Sequence, residues 1–126
     1  MVLRDFKKKV SISIFHNPRC SKSRQSLDIL EKNGVNTKVI LYLQSPPSAS
    51  ELKKILNKLK MSPLDIVRQG ESRFKELAIS LESISEEELI TLMVENPILI
   101  ERPIIFDEKR AVIGRPPENT LNLIDC

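Results

Sequence analysis

The chain has 126 residues, the usual size of one domain, and 40% of them are hydrophobic, so a single core can be buried without disulfide support. Its net charge of +3 comes from 20 basic and 17 acidic residues, which are interspersed along the chain. This mixed charge, together with the presence of one Tyr and no Trp, disfavours a nucleic-acid partner. No stretch approaches the roughly 18 apolar residues of a membrane span, and two distant cysteines do not resemble a secreted disulfide framework, so we expect a cytoplasmic protein without a membrane partner.

A strand, a helix and a second strand are predicted in the first third of the chain. Residues 10–14 alternate between apolar side chains and serine, as in a strand, and Asn17-Pro18 ends that pattern. Apolar residues at helical spacing then predict a helix from about Ser21 to Asn33, and residues 38–43 have the character of a strand. A strand-helix-strand unit of this length strongly favours a parallel strand pair.

The middle of the chain is predicted to be helical. Ser48 with Glu51, and Ser85 with Glu88, have the spacing of capping boxes, which mark the starts of two helices. A Ser-Pro helix start and an apolar repeat lie between them. Together these signals predict four helical segments, at about 48–60, 62–70, 74–81 and 85–95.

The last part of the chain is predicted to form a β-hairpin followed by a short closing helix. Residues 98–106 and 111–114 are the predicted strands, and they flank the polar turn from Asp107 to Arg110. The closing helix runs through Leu121 and Ile124.

The order βαβ, helices, ββα predicts an α/β, thioredoxin-like fold with a helical insertion between its two halves. We predict one domain over residues 1–126, with the insertion at about 48–96. In that fold a cis-proline commonly faces the active-site thiol, and Pro103 is the candidate.

One cysteine lies at the predicted turn between the first strand and the following helix. At the start of a helix, free backbone amides and the positive end of the helix dipole favour the ionised form of Cys20, as do the nearby Arg19, Lys22 and Arg24. A thiolate attacks electrophiles, whereas a thiol does so poorly. Because Ser23 replaces the second cysteine of a C-x-x-C motif, any disulfide chemistry must use a sulfur from another molecule.

Two other types of site are excluded by the sequence. A C-x5-R phosphate loop, as in low-molecular-weight phosphatases, requires an arginine at the position of Ser26. One histidine and two distant cysteines do not form a metal-ligand cluster of usual spacing, so we expect no metal site.

Five segments between about Ser13 and Leu123 resemble the glutaredoxin-coupled arsenate reductase family. They are H-N-P-R-C-S-K-S-R at 16–24, I-L-Y-L-Q-S-P-P-S at 40–48, D-I-V-R-Q-G at 65–70, N-P-I-L-I-E-R-P-I-I at 96–105 and G-R-P-P-E at 114–118. Any one of them is a weak signal, whereas their joint presence is highly specific.

The resemblance implies roles for six residues. Cys20 would be the nucleophile, His16 would influence its thiolate, and Ser23 would hydrogen-bond near it. The oxyanion-binding residues that it implies are Arg68, Arg102 and Arg115. Planar guanidinium groups suit that task because they donate paired hydrogen bonds and remain charged.

The implied reaction is the reduction of arsenate to arsenite. The thiolate of Cys20 displaces hydroxide or water from arsenic, glutathione reduces the resulting adduct, and glutaredoxin supplies the final electrons. The implied partners are therefore arsenate, glutathione as a co-substrate and glutaredoxin, with no bound cofactor. We expect a monomer as the default state.

Other interpretations remain open. One is a glutathione-dependent thiol reductase that acts on another substrate. Another is a thiol-stress regulator that binds RNA polymerase, although Ser23 breaks the C-x-x-C switch that many such regulators carry. Without the motifs, Cys20 would be a small buried hydrophobe and each arginine a surface ion-pair partner. Cys126 could resolve an oxidised Cys20, but terminal residues usually fray, so we expect it to be inert.

Overall fold

The computed structural model describes residues 11–124. The described part of the chain forms two compact units: the first contains residues 11–41 and 102–124, and the second contains residues 42–101. A single domain with a helical insertion at about 48–96 stays a prediction. Val10, the predicted start of the first strand, and Cys126, the predicted inert cysteine, lie outside the described residues.

A four-stranded sheet lies in the first unit. Its strands are β1 (Ser11–Phe15), β2 (Asn36–Ile40), β3 (Ile104–Phe106) and β4 (Ala111–Ile113), in the order β2-β1-β3-β4. β1 pairs in parallel with β2, as predicted, and antiparallel with β3, which pairs antiparallel with β4. These strand directions, with helices between the two halves of the sheet in sequence, confirm the predicted thioredoxin-like α/β fold.

Six α-helices occur among residues 11–124. They are α1 (Ser21–Lys32), α2 (Ala49–Leu59), α3 (Pro63–Ile66), α4 (Ser72–Glu76), α5 (Glu86–Glu95) and α6 (Leu121–Ile124). Short 3-10 segments lie at Pro97–Leu99 and Pro117–Thr120. None of the helices in this part of the chain is long and apolar enough to cross a membrane.

The buried core of the first unit joins the sheet to α1 and α6. Its members are Ile12, Ile14, Leu30, Ile105 and Leu123. Successive strand side chains point to opposite faces, so the two isoleucines of β1 lie on one face of the sheet. Next to them in the strand, Phe15 meets Phe106 of β3 edge to face, with ring centroids 5.2 Å apart.

The second unit is helical, and two of its helices begin as the sequence predicts. α2 and α5 each start with a capping box, formed by Ser48 with Glu51 and by Ser85 with Glu88. In each box the serine and the glutamate accept hydrogen bonds from each other's backbone amides, which satisfies two amides at the helix start. α2 and α3 both pack against α5.

The helix that begins after Ser62 is shorter than predicted. The sequence predicts an end near Gly70, whereas α3 ends at Ile66. Val67 adopts an extended conformation and pairs with Ile100, a residue distant in sequence. A helix cannot continue through a residue whose backbone is committed to that pairing.

The following helical segment is also shorter than predicted. The sequence predicts residues 74–81, whereas α4 spans Ser72–Glu76. Ala78 has a positive φ of 51°, outside the right-handed helical region, so the helix ends before it.

The second strand is placed earlier than predicted. The sequence predicts residues 38–43, whereas β2 spans 36–40. β2 can continue only where β1 lies beside it, and the last pair joins Phe15 to Ile40. The apolar run continues beyond that pair as a turn, in which Tyr42 is fully buried.

The predicted hairpin is confirmed, although its first strand begins at Ile104 rather than at 98. The first two residues of the predicted strand, Ile98 and Leu99, belong instead to the 3-10 segment Pro97–Leu99. Asp107 closes the turn, because its carboxylate accepts the amide hydrogens of Lys109 and Arg110 at 2.9 and 2.7 Å.

Candidate active site

The loop between β1 and α1 places Cys20 at the start of the helix. Cys20 is the N-cap residue of α1 and has an extended backbone. The carbonyl of Asn17 accepts the Cys20 N–H at 2.9 Å, and the Asn17 side-chain Oδ1 accepts the N–H of Arg19 at 3.0 Å. The thiol therefore lies at the strand-to-helix turn where the sequence predicts it.

Asn17 is not among the predicted site residues, although it organises this loop. Its side chain is buried and bonds the amide two residues further along the chain, which is an Asx turn. Asn is common at such turns, so an Asn-Pro pair just before the candidate nucleophile is the signal that could have identified it.

His16 and Ser23 form a buried pair beside the loop. His16 Nδ1 lies 2.6 Å from Ser23 Oγ, which also accepts the Asn17 N–H at 3.0 Å. Burial lowers the pKa of His16, and the charge of Arg24 lowers it further, against a smaller opposite effect of Glu31. The ring is therefore neutral at neutral pH, and the Ser23 hydroxyl can donate its own hydrogen to Nδ1.

The surroundings of Cys20 favour its thiolate. Burial by itself raises the pKa of the Cys20 thiol, but the amide of Ser23, the guanidinium of Arg102 and the amide of Lys22 outweigh it. The pKa is therefore lowered from its ordinary value. Both amides belong to the first turn of α1, where backbone N–H groups that have no partner within the helix favour the thiolate.

Arg115 places a second guanidinium at the sulfur. Its Nη2 lies 3.6 Å from Cys20 Sγ, and its Nε donates to the carbonyl of Arg102 at 2.7 Å. Both arginines precede a proline across a cis peptide bond, at Arg102–Pro103 and Arg115–Pro116. A thiolate with two guanidinium groups beside it is chemically suited to bind and attack an anion.

Arg68 lies in the second unit, where two carboxylates hold it. Its Nε is 3.1 Å from Glu71 Oε1, and its Nη1 is 2.6 Å from Glu101 Oε1. All three side chains are largely buried, with 22–27% of their surface exposed. Part of the charge of Arg68 is therefore already neutralised within this unit, and its role in oxyanion binding stays a prediction.

Five of the six predicted site residues lie together in the first unit. They are His16, Cys20, Ser23, Arg102 and Arg115, and Arg68 is the residue in the second unit. Their catalytic roles stay predictions. Within residues 11–124 no three metal-ligating side chains form a group that could hold a metal ion.

The sequence and the structure are similar to proteins named arsenate reductases. The chain is 43% identical over 109 residues to an arsenate reductase of Neisseria meningitidis serogroup A, which covers 86% of this chain and 93% of that protein. It is 48% identical over 114 residues to the uncharacterized protein YfgD of Escherichia coli K12, covering 90% and 96% of the two chains. The solved structure of an arsenate reductase from Vibrio cholerae matches with a TM-score of 0.85 and 41% identity, over 90% of this chain and 97% of that one.

The family assignment follows from the length of the match as well as from the identities. The model of the ArsC family matches residues 15–123, a range that includes every predicted site residue. This chain belongs to the ArsC family.

Proposed function

We propose that this protein reduces arsenate to arsenite, with Cys20 as the nucleophile. The observation that supports this most directly is the Cys20 sulfur, which has a guanidinium nitrogen of Arg115 at 3.6 Å and a pKa lowered in part by Arg102. The family of the chain and the names of its relatives favour the same substrate.

Electrostatics explain why two arginines suit the reaction. Arsenate is an anion at neutral pH and repels an approaching thiolate. Arg102 and Arg115 are proposed to offset that repulsion, because each guanidinium donates paired hydrogen bonds to oxyanion oxygens and stays charged. The resemblance assigns the same role to Arg68, which we expect to contribute less because Glu71 and Glu101 share its charge.

The proposed reaction transfers two electrons to arsenic(V). The Cys20 thiolate attacks arsenic and displaces water or hydroxide, which forms a sulfur–arsenic bond. Glutathione then attacks the Cys20 sulfur, so the electron pair of that bond passes to arsenic and arsenite leaves. The product on the protein is a disulfide between Cys20 and glutathione, which a glutaredoxin thiol attacks to release the Cys20 thiolate. Ser23 cannot replace the external thiol in this step.

The His16–Ser23 pair is proposed to support the nucleophile rather than to react. Ser23 Oγ ties His16 to the amide of Asn17, whose carbonyl holds the amide of Cys20. We place the reaction in the cytoplasm, where glutathione keeps thiols reduced.

Arsenite release tests the proposal. The assay combines arsenate, glutathione, glutaredoxin and an NADPH-recycling system, and compares wild type with Cys20→Ser and Cys126→Ser. We expect turnover in wild type and in Cys126→Ser, and none in Cys20→Ser. If Cys20 is reduced and reactive but no arsenite forms, the proposal is wrong, and the site acts on a different electrophile or serves a binding role.

A further inference from the structure

Three exposed cations close to Cys20 in sequence are not used by the reaction proposed above. They are Arg19, Lys22 and Arg24, and we call them the basic rim. Arg19 directly precedes Cys20, and the other two lie in the first turn of α1. None of them forms an ion pair with any residue in the described part of the chain.

The stability of α1 does not explain these charges. The first turn of a helix favours acidic side chains, because the positive end of the helix dipole lies there. α2 and α5 follow that preference, whereas α1 has no acidic residue in its first turn, and none occurs over residues 11–27. The basic rim therefore leaves uncompensated positive charge at the start of α1, next to Cys20 in the sequence.

The side chain of Arg24 is held by a hydrogen bond to the loop before Cys20. Its Nη1 donates to the carbonyl of Pro18 at 2.8 Å, in the loop that leads to Cys20. A guanidinium has further N–H donors, and this one is exposed, so it can donate hydrogen bonds to a carboxylate without losing the bond to Pro18. Holding the side chain in advance reduces the entropy lost when a ligand binds.

We propose that the basic rim binds the carboxylates of glutathione when glutathione reacts at Cys20. This inference rests on the proposed function, in which a glutathione sulfur must reach the Cys20 sulfur. Glutathione has two carboxylates and one ammonium group, so it is an anion at neutral pH. Arg102 and Arg115 are assigned to the oxyanion in that reaction, so the co-substrate requires other cations, and the basic rim supplies them.

Exchange with glutathione disulfide tests the inference without arsenate. The Cys20 thiolate attacks one sulfur of the disulfide, the sulfur–sulfur bond breaks, and a glutathione thiolate leaves as the Cys20–glutathione disulfide forms. Bis(2-hydroxyethyl) disulfide undergoes the same exchange but has no charge. The ratio of the two second-order rate constants measures carboxylate recognition, because a change in the reactivity of Cys20 itself affects both rates.

The variants are Arg19→Gln, Lys22→Gln, Arg24→Gln and the triple combination. Each single change is expected to lower the ratio about twofold to fivefold, the range for one exposed ion pair, and the triple change about tenfold or more. The matched control is Lys38→Gln, which removes an exposed cation of β2 and should leave the ratio unchanged. Added NaCl should lower the wild-type ratio toward that of the triple variant.

The other outcomes separate this inference from the proposed function. An equal ratio in wild type and the triple variant overturns the inference, even if the protein reduces arsenate. The ratio could be unchanged while the variants slow the release of glutathione from Cys20 by glutaredoxin. In that case the basic rim binds an acidic protein surface instead, and the inference is wrong. A lowered ratio in a protein that does not reduce arsenate supports the inference and overturns the arsenate proposal.

Discussion

The guanidinium of Arg102 affects the ionisation of Cys20 both as a hydrogen-bond donor and as a charge. Arg102→Gln removes the charge, so we expect the pKa of Cys20 to rise. Because only the thiolate is alkylated, alkylation by iodoacetamide at pH 7 should slow. The measurement is the pH dependence of the alkylation rate. Arg73→Gln, an arginine paired with Glu76 in the second unit, is the control that should leave it unchanged.

Asn17 acts on the same sulfur through the backbone. Asn17→Ala removes the acceptor of the Arg19 amide, so the turn that holds Cys20 at the start of α1 loosens. Losing one hydrogen bond of this kind should slow alkylation at pH 7 about twofold to tenfold.

The other end of α1 provides a matched control for Asn17. Asn33→Ala removes a side-chain bond to the Ile29 carbonyl at 2.8 Å. It should lower the stability of the helix without shifting the pH profile of Cys20. Similar profiles for both variants would contradict the role assigned to Asn17.

His16 makes the stability of the protein depend on pH near neutrality. The pKa of His16 is lowered in the folded state from its ordinary value of 6.5. As the pH falls below 6.5, the histidine of the unfolded chain therefore binds a proton before the histidine of the folded protein does. The stabilisation is present above pH 6.5 and is progressively lost below it. We expect a lower free energy of unfolding in urea at pH 5.5 than at pH 7.5.

His16→Gln is the control for this pH effect. His16 is the one histidine of the chain, so the variant should flatten the dependence between those two pH values. The acidic groups with lowered pKa values, such as Asp107, titrate below this range. An unchanged slope in the variant would assign the effect to another group.

At the scale of elements, the end of β4 lies so close to α1 that only glycine fits at 114. A Cβ there would collide with the Ser26 hydroxyl and lie 2.8 Å from Cγ of Pro103. Gly114→Ala should therefore lower the free energy of unfolding by about 1–3 kcal/mol, the usual effect of overpacking a core. Chemical denaturation measures the loss.

A second substitution distinguishes this collision from a backbone effect. Ser26 Oγ is buried and has no hydrogen-bond partner within the described residues, so Ser26→Ala alone should be nearly neutral. Combined with Gly114→Ala it should recover part of the lost stability, which a double-mutant cycle measures. No recovery would mean that contact with Pro103, rather than with Ser26, dominates.

The elements also show which signals a sequence carries reliably. The starts of α2 and α5 are predicted correctly because a capping box is formed by residues three apart, Ser48 with Glu51 and Ser85 with Glu88. The ends of α3 and β2 are predicted wrongly because distant residues determine them. Val67 leaves its helix to pair with Ile100, and β2 ends where β1 ends.

At the scale of the whole molecule, the net charge of +3 and the cations around Cys20 favour anionic substrates over neutral ones. Raising the concentration of NaCl or potassium acetate should raise the KM for arsenate severalfold, because salt screens these exposed charges. Alkylation of Cys20 by uncharged iodoacetamide should change much less under the same conditions. A KM that does not respond to either salt would contradict attraction by this charge distribution.

The sequence by itself determined the strand-helix-strand order, the capped helices, the parallel strand pair and the position of Cys20 at a helix start. Each of these depends on residues near one another in the chain, through side-chain period, capping and turn chemistry. Only the tertiary structure decided which distant groups act on the sulfur. Arg102 and Arg115 affect Cys20 because β1 and β3 pair, and that pairing depends on burying a shared core rather than on any local signal.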